Sequence, residues 1–539
     1  MSSNLFKSLA TVSGMTMASR VLGFVRQILI AGVIGAGGNP VADAFWAAFR
    51  LPNLFRRLFA EGAFQAAFVP LFQGKLIEED RAAARRFAEE VLAALVFILT
   101  ILIVAVEIAA PLFVNVVAHG FSDDPEKFDL TTLYLRIMFP YLACMSLVGL
   151  LSGILNSHDK FIAYAGAPVL LNVCQIAAIL IYADAEVGLT GAALSWATTI
   201  SGVLQLAVLV WGARRQGYLL ALRIPRWTPG VARLVKLGAP GFLSAGAVQI
   251  NIVIGTNIAS REPGAVSWLM NADQLYQLPL AVVGIALGVV LLPMLSRRVK
   301  EGDEKGAGHA LNRALELSAL LTLPAAAALI VMAAPLCDAL FRGLATDALS
   351  LFGGRASKFT AEDVAMTGLA LAWYGAGLPA FVLHKVFSPA FFAREDTRTP
   401  MNNALIAIAV NTGVALALFP HFGFVAVAFA TSFASWLQVL LLAWALAARG
   451  HFKADARLIG RGWRIVIATA VLAVFLWFAL QHTEGLARIL LDREWMAVVA
   501  ISAAGGALYF AAAFALGALR PSDYKAYARR RPSLEDKDS

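Results

Sequence analysis

Apolar residues fall into separate blocks along the chain, and each block is long enough to cross a bilayer as a helix of about twenty residues. None shows the alternation over about ten residues that is typical of membrane β-barrel strands. Backbone polar groups in lipid must be satisfied within their own segment, so the pattern predicts an all-α polytopic membrane protein with about fourteen transmembrane helices. The predicted spans are 8–34, 41–72, 90–117, 131–156, 162–183, 188–213, 232–259, 267–296, 309–341, 363–393, 401–419, 423–448, 462–481 and 495–518.

Composition agrees with this prediction. Of the 539 residues, 59% are hydrophobic and only 15% are charged, whereas soluble domains have about 25% charged residues. The first apolar stretch is interrupted by Arg20 and Arg26 and is followed by no Ala-x-Ala site. It therefore indicates a first transmembrane helix rather than a cleaved signal peptide.

The formal net charge of +9 reflects membrane topology rather than nucleic-acid binding. Lys and Arg residues concentrate in the loops that follow even-numbered helices and in the tail 519–539, whereas the loops after odd-numbered helices are neutral, mixed or acidic. By the positive-inside rule, both termini are predicted to be cytoplasmic.

A weak internal repeat appears at an offset of about 233 residues. The segments "SGILNSHDKFIAYAGAP" and "SPAFFAREDTRTP" both place a polar, charged turn before a proline. Repeats of this kind are common in transporters, with the substrate site between the halves; chance similarity between apolar segments is the alternative. The repeat predicts a first lobe at 1–215 and a second at 228–450, followed by two appended helices at 460–518 and the basic tail.

Helices 1 and 2 contain an unusual set of charges inside apolar sequence. An Arg at membrane depth costs about 2.5–3.5 kcal/mol on insertion scales, so several in one hairpin must face a watery cavity or pair with acids. Guanidinium groups match phosphate oxygens, which favours an anion site; internal salt bridges or snorkelling to the interface are the alternatives. Pro52 is predicted to break or kink helix 2 next to Arg56. The charged residues are Arg20, Arg26, Asp43, Arg50, Arg56, Arg57 and Glu61.

Helix 8 is the second candidate segment. Asp273 and Gln277 share a helix face, and either lining the site or lying near the outer interface fits Asp273. The sequence contains no P-loop, hydrolase elbow or HExxH motif, and His384 lacks a second ligand at metal spacing. We therefore expect no cofactor, no metal and no enzymatic activity.

Four segments identify a resemblance. "SLATVSGMTMASRVLGFVRQ", "ADAFWAAFRLPNLFRRLFAEGAFQAAFVPLF", "AVSWLMNADQLYQLPLAVVGIALGVVLLPMLS" and "SPAFFAREDTRTP" resemble the MurJ (MviN) lipid II flippases. The similarity extends from residue 1 to about 515. More broadly, the chain is similar to the superfamily of multidrug (MATE) and polysaccharide-lipid exporters.

The resemblance implies two six-helix, MATE-like lobes around a V-shaped central cavity, with helices 13 and 14 forming a groove for a polyprenyl tail. The implied substrate is lipid II, an undecaprenyl-pyrophosphate-linked disaccharide pentapeptide, carried by alternating access from the cytoplasmic to the periplasmic leaflet of the bacterial inner membrane. Membrane lipids and the cell-wall synthesis machinery are the other implied partners. The predicted substrate-binding residues are Arg20, Arg26, Asp43, Arg56, Glu61, Ser267 and Asp273.

One position departs from the family pattern. Gln274 follows Asp273 where many members have Arg, which weakens the expected anion site on that side. Exporters of another polyprenyl-linked glycan and MATE-like drug exporters are therefore the alternatives. A pump for cationic drugs needs an acidic or aromatic cavity, whereas the charges of helices 1 and 2 are net basic.

Overall fold

The computed structural model describes residues 3–59, 63–158, 160, 162–354 and 356–519, and the regular structure in these ranges is helical. A short 3-10 helix at His119–Asp123 and a π-helical turn at Asp338–Leu344 join the longer elements. The α-helices are α1 (Ser3–Ile34), α2 (Pro40–Phe59), α3 (Ala63–Glu78), α4 (Arg81–Val117), α5 (Pro125–Met138), α6 (Tyr141–Asn156), α7 (Ile162–Tyr182), α8 (Val187–Arg215), α9 (Pro229–Ala259), α10 (Ala265–Lys300), α11 (Glu304–Val331), α12 (Ala333–Cys337), α13 (Ala345–Ser350), α14 (Ala361–Phe392), α15 (Arg398–Phe422), α16 (Val425–Ala448), α17 (Ala456–Leu480), α18 (Thr483–Ile489) and α19 (Glu494–Ala515).

Every predicted span coincides with one or two of these helices. Eleven candidate membrane spans meet the criteria of length and hydropathy within the described residues. The segments predicted as helices 2, 7 and 8 are not among those eleven. The all-helical membrane fold is confirmed, and the count of fourteen stays a prediction.

Prolines act differently at two positions. α2 continues past Pro52 to Phe59, so the helix does not break at this proline, and the predicted alternative, a kink, stays a prediction. Packing of α2 against α5 and α6 supports the helix through it. In α4, Pro111 cannot donate to the carbonyl of Glu107, and the backbone departs from helical geometry at Ala109. Nε of Arg136 donates to that carbonyl at 3.1 Å, which satisfies the acceptor that the proline leaves open.

Many large apolar side chains are exposed, as a surface in contact with lipid requires. On α4, Ile101, Val104, Ile108 and Leu112 recur every three or four residues and are at least half exposed. This spacing places them on one helix face. The α4 helix therefore presents its apolar stripe outward, the reverse of a helix in a soluble protein.

Contacts divide the chain into two compact units. Unit 1 comprises Met1–Gln274, Leu340–Met366 and Thr412–Val427, and unit 2 comprises Leu275–Ala339, Thr367–Asn411 and Ala428–Ser539. Unit 1 thus contains α1 to α9, α13, the first turns of α10, α14 and α16, and the second half of α15. The lobe boundaries proposed from the sequence stay a prediction.

Unit 2 joins α17 and α19 to α11. Its buried core includes Leu320, Ile465 and Leu472, and the hydroxyl of Tyr509 donates to the carbonyl of Leu320 at 2.7 Å. At the start of α17, the buried carboxylate of Glu316 pairs with arginines of both α11 and α17, which are Arg313, Arg457 and Arg461. An acid shared by several guanidinium groups fixes the register of the two helices more firmly than an exposed pair would.

Candidate functional site

The carboxylate of Asp43 is the centre of a buried polar cluster in unit 1. It lies in the first turn of α2 and is 0% exposed. It accepts hydrogen bonds from the backbone N–H of Gly264 at 2.7 Å and from the backbone N–H and hydroxyl of Ser267 at 3.0 and 2.7 Å. The ammonium of Lys127 lies 3.5 Å away. An acid of α2 therefore caps the N-terminus of α10, where the helix dipole favours negative charge.

A second buried carboxylate, Asp363, lies in the first turn of α14. It accepts from the backbone N–H of Gly37 at 2.6 Å, in the turn between α1 and α2, and from the indole N–H of Trp268 at 2.8 Å. These contacts join the first helices of the chain to the beginnings of α10 and α14. We call this the Asp43–Asp363 cluster; its members are Gly37, Asp43, Lys127, Gly264, Ser267, Trp268 and Asp363.

Turns at the same end of unit 1 are also linked. The N–H of Lys358 donates to the carbonyl of Gly32 at 2.7 Å. The N–H of Phe424 donates to Glu262 at 2.6 Å; burial raises the pKa of the Glu262 carboxyl, and this hydrogen bond opposes the rise. Hydrogen bonds between residues far apart in sequence thus hold the turns and helix N-termini at this end of unit 1 together.

Gly264 is required by this closure, and its replacement gives a test. Its φ is +85°, and a Cβ there would lie 2.6 Å from the Cα of Gly37 and 2.6 Å from the Trp268 ring. We expect Gly264→Ala to cost about 1–2 kcal/mol in backbone strain and about 1–3 kcal/mol more in overpacking. The measurement is the apparent unfolding temperature of the purified protein in detergent.

Gly302→Ala is the matched control. Gly302 also has a positive φ, of +75°, but a Cβ there would meet nothing within 4 Å. Backbone strain alone would lower the unfolding temperature equally in both variants. A clearly larger drop for Gly264→Ala is expected; equal drops would contradict the close approach of Gly37 and Trp268.

Arg26 lies on α1, about 12 Å along the helix from its end at Ile34. Its Nη1 donates to the side-chain oxygen of Asn172 on α7 at 3.1 Å, and Asn172 in turn donates to the carbonyl of Ser19 at 2.9 Å. Within the described residues, the buried Nε of Arg26 has no hydrogen-bond partner. The guanidinium is thus oriented by one amide and retains donors for a further acceptor.

Arg56 lies at the other end of α2 from Asp43, about 20 Å along the helix. Its Nε and Nη2 donate to the side-chain oxygen of Asn53 at 3.1 and 3.0 Å. Arg56 is close enough to Arg26 for their like charges to repel. Two guanidinium groups held near each other are favourable for a phosphate or pyrophosphate.

The remaining predicted site residues are less well defined. Arg20 is exposed on α1, and Asp273 is half-buried on α10. Glu61 lies outside the described residues. The structure therefore brings Asp43 and Ser267 into contact and places Arg26 near Arg56.

Several residues that the sequence analysis missed complete the arrangement. Asn172 orients Arg26, and Lys127 pairs with Asp43. Asp363 is a second buried carboxylate that, like Asp43, accepts hydrogen bonds from a distant segment of the chain. Gln27 donates to Asn271 at 2.7 Å in a buried contact between α1 and α10. The only local signal for Asp363 is its place in a helix first turn, where acids are common.

Unit 2 contains two apolar cavities beside α17 and α19. One, of about 240 Å³, is lined by α11, α17 and α19, with Pro324, Leu472 and Phe510 among its residues. The other, of about 760 Å³, is lined by α17 to α19, with Phe478 and Ile489 among its residues. Apolar cavities of this size are suited to hydrocarbon chains.

Comparison with known proteins gives consistent matches. The family model described as lipid II flippase MurJ matches residues 30–492. A probable lipid II flippase MurJ of Rhizobium meliloti is 45% identical over 523 residues, which cover 95% of this chain and 94% of that protein. The lipid II flippase MurJ of Burkholderia cenocepacia is 36% identical over 542 residues, covering 98% of this chain and 99% of that protein.

Solved structures show the same fold. A lipid II flippase MurJ in an inward closed conformation has a TM-score of 0.75 at 23% identity, and the match covers 96% of this chain and 99% of that chain. An inward-facing MATE family multidrug resistance transporter has a TM-score of 0.66 at 16% identity, covering 82% and 97% of the two chains.

Proposed function

Because the chain belongs to the lipid II flippase MurJ family, we propose that it moves lipid II from the cytoplasmic to the periplasmic leaflet of the inner membrane. The observation that carries the proposal is the Arg26 site. A half-buried guanidinium, oriented by Asn172 and near Arg56, offers donors to a pyrophosphate within a mainly apolar helix. We propose Arg20, Arg26, Arg56, Glu61 and Asp273 as substrate-binding residues.

The Asp43–Asp363 cluster has a different role in this proposal. With both termini in the cytoplasm, the beginnings of α2, α5, α10 and α14 face the periplasm. The cluster then closes the periplasmic end while Arg26 and Arg56 lie deeper, towards the cytoplasm. Asp43 and Ser267 thus act as closing groups of an alternating-access cycle, released when the head group is delivered outward.

The polyprenyl tail needs an apolar path separate from the polar head-group site. The cavities beside α17 and α19 offer one, because the lining of the larger cavity is almost wholly hydrocarbon and that of the smaller one is mainly apolar. We propose that residues 460–518 hold the tail while the head group crosses. Contact with the cell-wall synthesis machinery is a further element of the proposed role.

Depletion of the protein in its bacterial host tests the proposed function. Newly exposed lipid II is measured with a periplasmic probe, before and after depletion. Exposure is expected to fall at least about tenfold, because the spontaneous crossing of a charged head group through hydrocarbon is strongly disfavoured. Unchanged exposure, with lipid II still synthesised at its normal level, would refute the proposal.

A further inference from the structure

An apolar cavity of about 400 Å³ opens in unit 1, between α3, α4 and α9. On α9, its lining residues Val231, Leu234, Val235 and Gly238 follow the spacing of one helix face. Phe97 and Ile98 of α4 form part of its rim and are about half exposed. The cavity is thus open on the lipid-facing side of the unit. It shares no lining residue with the Arg26 site.

The cavity lies where polar sequence gives way to apolar sequence on two helices. On α4, charged residues occur up to Glu90, and none follows until Glu107. On α9, Arg233 and Lys236 precede a run without charge that extends to the end of the helix. Such a transition marks the boundary between water and hydrocarbon. The mouth of the cavity is therefore at the depth of lipid head groups.

The segment 216–228, which connects α8 to α9, covers one side of the mouth; we call it the linker strap. The carboxylate of Glu89, on α4, accepts from the N–H of Ala221 at 3.2 Å and from Nε of Arg223 at 2.6 Å. Nη2 of Arg85 donates to the carbonyl of Leu219 at 2.6 Å. The strap is fixed to α4, so the mouth that it forms is pre-organised.

The guanidinium of Arg226 at the mouth has no acidic partner within ion-pair distance among the described residues. Arg226 lines the cavity and is exposed, and no ion pair or hydrogen bond of its guanidinium occurs among the described residues. The neighbouring acids are already engaged: Glu89 by Arg85 and Arg223, and Glu90 by the hydroxyl of Thr228 at 2.7 Å. Beside Arg226, the indole of Trp227 is 72% exposed, as is common at membrane interfaces.

We propose that this cavity binds an anionic membrane phospholipid. One acyl chain fills the apolar cavity, the phosphate contacts Arg226, and Trp227 lies at the head-group level. Apolar lining alone would accept any lipid tail. The unpaired guanidinium of Arg226 attracts a lipid whose head group has a net negative charge. In a zwitterionic lipid, the cationic part of the head group largely cancels this attraction, so anionic lipids are preferred.

The test compares lipid retention by native mass spectrometry on full-length protein extracted into mild detergent. The probes are phosphatidylglycerol and phosphatidylcholine with identical acyl chains. The wild type is expected to retain phosphatidylglycerol about fivefold better, from one surface guanidinium. Arg226→Gln is expected to lose this preference. Ala94→Phe, which places a ring inside the cavity, is expected to lower retention of both lipids.

Arg215→Gln is the matched control. Arg215 lies at the same end of unit 1, but it stacks on Trp211 at 3.8 Å and does not line the cavity. It is expected to keep the wild-type preference, and unfolding temperatures verify that all variants fold. An unchanged preference in Arg226→Gln, or unchanged retention in Ala94→Phe, would overturn the proposal. So would displacement of phosphatidylglycerol by equimolar undecaprenyl phosphate, since the cavity would then be a substrate-tail site.

Discussion

Replacing Arg26 with alanine is expected to reduce lipid II exposure by roughly 10- to 100-fold, the effect of losing one or two charge-assisted hydrogen bonds to a phosphate. The guanidinium is positioned before substrate arrives, because Asn172 holds Nη1 and is itself held by the carbonyl of Ser19. Its Nε is buried and has no partner in the described part of the chain. The variant removes both the charge and this directed donor set.

Two further variants separate charge from geometry. Arg26→Lys keeps the charge but loses the planar fork, so we expect partial activity, between alanine and wild type. Asn172→Ala keeps the guanidinium but removes its orienting acceptor, so we expect a milder loss. If charge alone mattered, lysine would restore full exposure, and Asn172→Ala would be neutral.

The measurement is the periplasmic probe for lipid II in cells depleted of the wild-type protein and supplied with each variant. Arg215→Ala, at an exposed arginine away from the site, controls for general loss of positive charge. Membrane levels and unfolding temperatures of all variants are compared. Full exposure with Arg26→Ala at a normal protein level would remove Arg26 from the substrate site.

Helix positions could be predicted closely because the bilayer imposes a local rule. The helix predicted at 188–213 is α8 (Val187–Arg215), and the one predicted at 423–448 is α16 (Val425–Ala448). The hydropathy of the residues within a span is enough to identify it as a membrane helix. No knowledge of distant parts of the chain is needed.

The rule failed where charge is buried inside the fold. Helix 4 was predicted to begin at 131, but α5 begins at Pro125 and ends before the turn at Phe139. Its first turns contain Lys127, which is buried because Asp43 pairs with it. Sequence hydropathy counts such a lysine as belonging to a loop. The compensating acid lies 84 positions away, so no local window includes both.

The same difference between local and long-range information explains which residues of the candidate site could be predicted from the sequence. Arg26 and Asp43 could be nominated because a charge in an apolar span is a local anomaly. Their partners are ordinary polar residues far along the chain: Asn172 is 146 positions from Arg26, and Asp363 is 326 positions from Gly37. Only the folded backbone brings them together. Asp273 was nominated by its position on helix 8 and by the resemblance to the family, and contact geometry linked Ser267 to Asp43.

Asp43→Asn is expected to open the periplasmic end of the protein. The carboxylate accepts from three donors and pairs with buried Lys127. In the asparagine variant, an NH2 group replaces one carboxylate oxygen, so a donor faces the donors of Gly264 and Ser267. The ammonium of Lys127 also loses its counter-charge. Removing one partner of a buried ion pair costs about 3–5 kcal/mol. In an open state these groups reach water, so the penalty falls mainly on the closed state.

A shift of this size changes populations strongly, since each 1.4 kcal/mol is about a tenfold change in the equilibrium. Val33 on α1, 2% exposed and close to the Asp43–Asp363 cluster in sequence, gives a reporter as Val33→Cys. The native Cys144, Cys174 and Cys337 are first replaced by alanine. Labelling of intact cells with a membrane-impermeant thiol reagent is expected to rise at least about tenfold in Asp43→Asn.

The second partner of the pair makes the test specific. Lys127→Met added to Asp43→Asn removes the stranded ammonium, so labelling is expected to fall back part of the way towards the parent level. A general loosening of the fold would instead make the double variant at least as reactive as Asp43→Asn alone. Unchanged labelling in Asp43→Asn would show that this carboxylate does not hold the periplasmic end closed, and the closing role would pass to Asp363, whose three donors remain intact in the variant.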